Sequence, residues 1–247
     1  MNQTSPQKRI FVALDTPDLA RATQLAAMLS SVVGGAKVGK EFFTAHGPTG
    51  VRDVVRAGVG HLFLDLKFHD IPNTVAGAVR AAVPLCPHLV TVHAAGGPAM
   101  LRAAAEAARA GAEQAGVPRP RMIGITVLTS LDDADLAAVG QPGPVADQVR
   151  RLADLARASG LDGVVCSPRE IVALRRQCGP DFLLVVPGIR PEWAAADDQK
   201  RVLTPAEAVA AGADYLVIGR PITSATDPVA AARRIVAELS EPSGIRV

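Results

Sequence analysis

A short charged stretch in the first third of the chain carries the side chains best suited to chemistry. Asp65 and Lys67 follow the apolar residues 62–64 directly, and Asp70 comes soon after them. If 62–67 forms a strand, the alternation of side chains predicts that Asp65 and Lys67 lie on the same face. Charges at the end of an apolar strand are costly unless they pair or take part in chemistry. A structural ion pair and a catalytic pair are both compatible with this spacing.

The elements that must position these charges form a regular repeat. Eight short segments rich in Val, Ile and Leu alternate with helical patterns. Continuous apolar strands indicate a sheet that is covered on both faces, and strict strand–helix alternation indicates parallel strands. Eight such units favour a single (β/α)8 TIM barrel of the α/β class over an open doubly wound sheet. The predicted strands cover 10–15, 36–40, 61–67, 89–93, 122–128, 163–166, 182–186 and 215–218.

We predict one domain. The barrel, a catalytic domain, is expected over 10–239, with a disordered polar tail over 1–9 and a loose C-terminal tail over 240–247. The first residues lack the apolar core of a secretory signal. No apolar run reaches the roughly 18 residues that are needed to span a bilayer. The sequence therefore predicts a protein without a membrane partner.

Charge and composition narrow the class of function. The formal net charge is +2, and the chain has one Trp, one Tyr and six Phe. Neither a basic patch nor a set of aromatic residues for base stacking is evident, so we expect no nucleic-acid partner. The three cysteines lack C-x-x-C spacing, which argues against a disulfide framework or a zinc site and favours the cytoplasm.

Polar residues recur where the predicted strands end. In a (β/α)8 barrel, the active site lies at the carboxyl ends of the strands. One strand that ends in a polar residue carries little information. Polar residues at the ends of most of the eight strands indicate a site on one rim of the barrel. The residues in question are Asp15, Lys37 to Lys40, Asp65, Lys67, His93, Thr129, Ser130, Arg190 and Arg220.

The last two loops resemble a phosphate site. Gly188-Ile189-Arg190 follows the seventh strand and Gly219-Arg220 follows the eighth, where barrels commonly hold phosphate. Glycine lets the backbone approach the anion, and arginine offers forked donors. The alternative is that Arg190 and Arg220 are ordinary solvated side chains.

A second phosphate motif is rejected. Residues 34–40 read GGAKVGK and match part of a P-loop. The next residue is Glu41, so the hydroxyl that would bind a metal is missing. The segment also has the pattern of a strand, which argues against a nucleoside triphosphate site.

Taken together, several segments resemble one enzyme family. These are ALD at 13–15, KVG at 37–39, DLKFHDIPNT at 65–74, LTS at 128–130, PGIR at 187–190 and IGRPI at 218–222. They are similar in type and order to the orotidine 5′-phosphate decarboxylase family, in its shorter bacterial branch. The resemblance runs from the first strand to the last.

The resemblance implies a reaction and an assembly. Orotidine 5′-monophosphate would lose CO2 to give uridine 5′-monophosphate, the last step of de novo UMP biosynthesis, with no cofactor and no metal. The protein would be a homodimer, with Asp70 and Thr74 contributed to the neighbouring site. Lys67 would protonate C6 within an array that also contains Lys37, Asp65 and Asp70. The other substrate contacts implied by the resemblance are Asp15 and Thr74 at the ribose, Thr129 at the pyrimidine, and Arg190, Gln199, Gly219 and Arg220 at the phosphate. Lys37 would also bind the substrate.

Two other functions stay open from the residues alone. A metal-dependent sugar-phosphate decarboxylase or aldolase of the 3-keto-gulonate or hexulose phosphate type shares the D-x-K strand. It would be expected to carry an acidic metal ligand near Lys37. A non-catalytic phosphate-binding barrel would have no use for carboxylates beside an anionic ligand. His93 is interpreted as a structural imidazole, and Lys40 as a peripheral charge.

Overall fold

The strands confirm the predicted (β/α)8 barrel. In a computed structural model, which describes residues 5–141, 143–194 and 203–240, eight strands follow one another in chain order and close into a barrel. They are β1 (Ile10–Ala13), β2 (Gly35–Gly39), β3 (His61–Phe68), β4 (Leu89–His93), β5 (Arg121–Ile125), β6 (Gly163–Val165), β7 (Leu183–Pro187) and β8 (Tyr215–Ile218).

Helices follow the strands. Helix α2 consists of two helical parts, because Gly47 (φ 59°, ψ −160°) is not helical and Pro48 follows it, which kinks the chain between them. The short helices α5 and α9 carry too few residues for a periodic pattern. The helices are α1 (Leu19–Leu29), α2 (Lys40–Arg56), α3 (Pro72–Ala82), α4 (Gly97–Ala115), α5 (Asp133–Ala138), α6 (Val145–Ala158), α7 (Ile171–Cys178), α8 (Pro205–Ala211), α9 (Arg220–Thr223) and α10 (Pro228–Ser240).

The chain packs into two compact units, and the first contains the residues up to Asp65 and from Val186 onward. In this unit, β2 pairs with β1 and β3, and β1 also pairs with β8. The register sets Lys37 opposite Ala13 and Asp65 opposite Gly39. These pairings place the charges of β2 and β3 near the carboxyl ends of neighbouring strands.

The second unit covers Leu66–Val185. Its strands β4 to β7 pair in order, with His93 opposite Ile125 at the end of β4. Helices α3 and α4 pack against each other. The apolar side chains of Leu89, Val90 and Met122 are fully buried, as expected for strands that are covered on both faces.

The part of the predicted tail that the structure describes contains regular structure. Pro6–Arg9 form a 3-10 helix, and the Arg9 guanidinium donates to the carbonyl oxygens of Ala213 (3.3 Å) and Asp214 (3.4 Å). These long-range bonds attach the segment to the first unit, which composition alone could not reveal. At the other end, α10 extends to Ser240, and residues 241–247 lie outside the described ranges. Across the described ranges, none of the helices has the length and apolar character of a membrane span.

Candidate active site

A buried lysine held by two carboxylates is the centre of the site in the first unit. The Nζ atom of Lys37 lies 2.8 Å from Oδ1 of Asp15 and 3.7 Å from Oδ2 of Asp65. The side chains of Lys37 and Asp65 are 11% and 10% exposed, whereas that of Asp15 is 60% exposed. A buried ammonium is tolerated when opposite charges surround it. The three predicted residues are therefore brought together as a Lys–Asp cluster with one open carboxylate.

Gly39 leaves room for this cluster. A Cβ atom added at Gly39 would lie 3.4 Å from both Oδ1 of Asp15 and Nζ of Lys37, at the close limit of ordinary van der Waals contact. This contact of Gly39 with the pair was not predicted from the sequence.

In the second unit, Lys67 has an unusual backbone. Its φ is 52°, and Cys86 is the only other residue besides glycine with a positive φ among those that the structure describes. A lysine in this left-handed region costs about 1–3 kcal/mol, and such strain persists only where the surroundings hold it. The backbone N–H of Lys67 donates to the hydroxyl of Thr91, at 2.9 Å.

This backbone changes one expectation. The prediction that Asp65 and Lys67 share a face required an extended conformation at every residue, and Lys67 departs from it. Alternation therefore cannot assign the direction of the Lys67 side chain. The physical reason is that the left-handed residue interrupts the extended backbone one residue before β3 ends at Phe68.

Asp70 and Thr74 lie on the segment that follows β3. Both residues are exposed, and so is Ile71, at 66%. The N–H of Ile71 donates to Oδ1 of Asp70, at 2.6 Å, and Pro72 begins α3. Proline fits the first helical turn because no intrahelical partner is needed for its nitrogen. The segment thus presents a carboxylate and a hydroxyl at the surface of the chain.

The predicted phosphate residues lie after β7 and β8. Arg190 is 6% exposed, and its backbone N–H donates to the carbonyl oxygen of Leu203, at 3.1 Å. Gly219 precedes α9, whose first residue is the exposed Arg220. One arginine is therefore enclosed and the other is open to solvent.

The remaining predicted residues have different surroundings. Thr129 lies in an exposed turn after β5, and Gln199 lies outside the described residues. The ring of His93 is 5.2 Å from that of His69, with an angle of 34° between them, so its assignment as a structural imidazole stays a prediction. Lys40 is the exposed first residue of α2.

The arrangement suits charge stabilisation. Within the ranges that the structure describes, no three His, Cys, Asp or Glu side chains are grouped so that they could hold a metal ion. A fixed ammonium beside carboxylates can stabilise an anion and exchange a proton with it. The open Asp15 carboxylate can accept hydrogen bonds from a ligand's hydroxyl groups.

Thr91 was missed by the sequence analysis. It is a fully buried polar residue in the apolar strand β4, which is a signal in its own right. Its partner could not be predicted, because the contact depends on the backbone conformation of Lys67.

Comparison with known proteins gives one consistent result. Residues 8–235 match the model of the orotidine 5′-phosphate decarboxylase / HUMPS family. A relative from Rhodospirillum rubrum, named orotidine 5′-phosphate decarboxylase, is 61% identical over 233 residues, which are 94% of each chain. A relative of the same name from Moorella thermoacetica is 59% identical over 232 residues, covering 94% of this chain and 92% of its own.

A solved structure agrees with this result. The crystal structure of orotidine 5′-phosphate decarboxylase from Lactobacillus acidophilus superposes with a TM-score of 0.81 at 39% identity. The match covers 94% of this chain and 99% of the other. The likeness therefore extends over the barrel as a whole.

Proposed function

The chain belongs to the orotidine 5′-phosphate decarboxylase / HUMPS family, and on this premise we propose that it converts orotidine 5′-monophosphate to uridine 5′-monophosphate and CO2 without a cofactor. The observation that carries the proposal is Lys37, buried between Asp15 and Asp65 at the strand ends. Relatives with more than half of their residues identical bear the decarboxylase name over nearly the whole chain.

The proposed chemistry follows from the charge that develops. Loss of CO2 leaves a carbanion at C6 of the pyrimidine, with no adjacent electron sink. A site must stabilise this charge and protonate the carbon, and a lysine kept charged by nearby carboxylates does both. We assign Lys67 as the proton donor, within an array that includes Lys37, Asp65 and Asp70.

Asp65 has a second proposed effect. It would lie near the carboxylate of the substrate, and two like charges raise the energy of the bound ground state. This repulsion is relieved as neutral CO2 leaves. The burial of Asp65 supports the proposal, because a charge in a low-dielectric site acts more strongly than a solvated one.

Binding is assigned to the rim around this array. Asp15, the open carboxylate of the cluster, would accept a hydrogen bond from the ribose, which Thr74 would also contact. Lys37 would bind the substrate as a donor. Thr129 would contact the pyrimidine. The binding energy of the phosphate, which is remote from C6, would be used to fix the substrate at the reacting centre. The proposed phosphate residues are Arg190, Gln199, Gly219 and Arg220.

A homodimer completes the proposed site. Asp70 and Thr74 would reach the site of the neighbouring subunit, since both residues are exposed on the segment after β3. The exposed Ile71 between them supports the proposal that a second subunit covers this surface, because burial of a large apolar side chain at an interface is favourable. We place this dimer in the cytoplasm, in keeping with cysteines that lack disulfide spacing.

The metal-dependent alternative is disfavoured by one position. A metal-dependent enzyme of this type would carry an acidic metal ligand near the start of its second strand, where this chain has Lys37. An ammonium at that point would repel a divalent cation. The same position therefore separates the two activities.

An absorbance assay tests the proposal. The purified full chain is mixed with orotidine 5′-monophosphate, and the fall in absorbance on conversion to uridine 5′-monophosphate is followed with and without EDTA. We expect turnover that EDTA leaves unchanged, and no reaction with hexulose or keto-gulonate phosphates. Absence of turnover would overturn the proposed reaction, and loss of turnover in EDTA would favour the metal-dependent alternative.

A further inference from the structure

A buried hydroxyl in β4 contacts the backbone of the proposed proton donor. Thr91 is 0% exposed and lies among Leu89, Val90 and Val92. Its Oγ1 accepts the N–H of Lys67 at 2.9 Å. A valine would fill the same volume, so packing alone gives no reason for a hydroxyl at this point.

The bond acts on a backbone that needs support. Lys67 adopts φ 52°, where the Cβ of a residue other than glycine approaches its own carbonyl group. Such a conformation is kept only when neighbouring groups fix it. The hydrogen bond with Thr91 is such a contact, because a side-chain hydroxyl is bonded directly to the main-chain N–H of Lys67.

We propose that Thr91 is a positioning residue: its hydroxyl holds the left-handed backbone of Lys67 and so aims the lysine side chain at the reacting carbon. The inference rests on the proposed function, in which Lys67 protonates C6. A lysine side chain has four flexible methylene groups. Its ammonium reaches a defined point with little loss of entropy only if the Cα–Cβ bond starts in a fixed direction.

Four variants separate this role from packing. Thr91→Val keeps the shape of the side chain and removes the acceptor. Thr91→Ser and Thr91→Ala both lose the methyl group and differ only in the hydroxyl. Thr126→Val is a matched control, because Thr126 is 4% exposed and its hydroxyl donates to the carbonyl oxygen of Val165 in β6, at 2.9 Å.

The kinetic measurement is a comparison of kcat with KM and with the affinity for uridine 5′-monophosphate. We expect Thr91→Val and Thr91→Ala to lower kcat roughly 10- to 100-fold, the scale of a misplaced catalytic group. KM and product affinity should stay within about twofold, since groups that bind the ligand are untouched. Thr91→Ser should retain most of kcat, and Thr126→Val should retain it even if its melting temperature falls. Equal kcat values for Thr91→Ser and Thr91→Ala would overturn the proposal.

A second readout does not require activity. Hydrogen exchange of the Lys67 amide should be slow in the wild type and in Thr91→Ser, and at least about tenfold faster in Thr91→Val, because the valine offers no acceptor. Unchanged exchange in Thr91→Val would overturn the inference. If the wild type fails to decarboxylate orotidine 5′-monophosphate, the proposed function fails, and the exchange data still decide whether Thr91 holds the Lys67 backbone.

Discussion

The Nζ atom of Lys37 lies 2.8 Å from a carboxylate oxygen of Asp15, and the two side chains differ sharply in exposure, at 11% and 60%. The ammonium is enclosed, whereas its partner is open to solvent. Asp65 closes the other side of the lysine at 3.7 Å. Part of the proposed charge array is therefore already formed in the folded chain. Such preorganisation saves the rearrangement of dipoles that a flexible site would need during the reaction.

Replacing the proposed proton donor should stop chemistry and spare binding. In Lys67→Ala, we expect kcat to fall by roughly 10³-fold or more, at the upper part of the range for a lost general acid or base. Affinity for uridine 5′-monophosphate, measured by calorimetry, should change much less. Lys40→Ala is the matched control, because Lys40 is exposed on α2, and it should keep near-normal turnover. Near-normal decarboxylation by Lys67→Ala would contradict the assignment.

The phosphate assignment predicts an effect that depends on the substrate. Arg220→Ala should raise KM strongly and lower kcat/KM for orotidine 5′-monophosphate by about 10²-fold or more, because a charged hydrogen bond to the phosphate is lost. The nucleoside orotidine, which has no phosphate, should show the same kcat/KM with variant and wild type. Arg233→Ala replaces an exposed arginine of α10 and should affect neither substrate. An equal loss for both substrates would remove Arg220 from the phosphate site.

The order of the elements was predictable because the signal is local. Each strand is a short apolar run, and the repeat of such runs with helical patterns specifies a parallel barrel. The part of α2 that precedes Gly47 was not predicted, because it is short and the kink at Gly47 and Pro48 separates it from the rest of the helix. The attachment of Pro6–Arg9 was not predictable, because the bonds of the Arg9 guanidinium join residues that are far apart in sequence.

The candidate site shows the same division. Residue types at strand ends pointed to Lys37 and Asp65, but their pairing depends on the register of β2 against β3. The left-handed backbone of Lys67 has no sequence signal, since lysine rarely adopts it. Its contact with Thr91 follows from that conformation. Local patterns therefore identified the participants, and long-range geometry determined their contacts.

Glu170 should make stability depend on pH. It is half-buried, and burial raises the pKa of its carboxyl group above the ordinary value of 4.5, although a hydrogen bond from Ser167 opposes this. The folded state therefore binds the proton more tightly than the unfolded state. The stabilisation is present below pH 4.5 and is lost as the pH rises through the folded pKa.

Glu170→Gln isolates this effect. The glutamine stays neutral and its oxygen can still accept the N–H of Ser167, as the glutamate does at 2.7 Å. We expect the melting temperature of the variant, relative to the wild type, to increase between pH 4 and pH 7. Glu113→Gln, at an exposed position of α4, should show no such trend. A difference that is flat or decreases over this range would contradict the role of burial at Glu170.

The proposed exchange of residues between subunits predicts complementation. If Lys67 serves its own site and Asp70 serves the neighbour's, a dimer of one Lys67→Ala chain and one Asp70→Ala chain contains one intact site and one doubly altered site. Random mixing of the two inactive variants, refolded together, should then recover about a quarter of wild-type activity, since half of the dimers are mixed and each has one working site. A mixture of Lys67→Ala with Asp65→Asn is the control, because both residues serve the same subunit and every site stays altered. Failure of the first mixture to exceed the second, with mixed dimers demonstrated by mass spectrometry, would show that Asp70 acts within its own subunit.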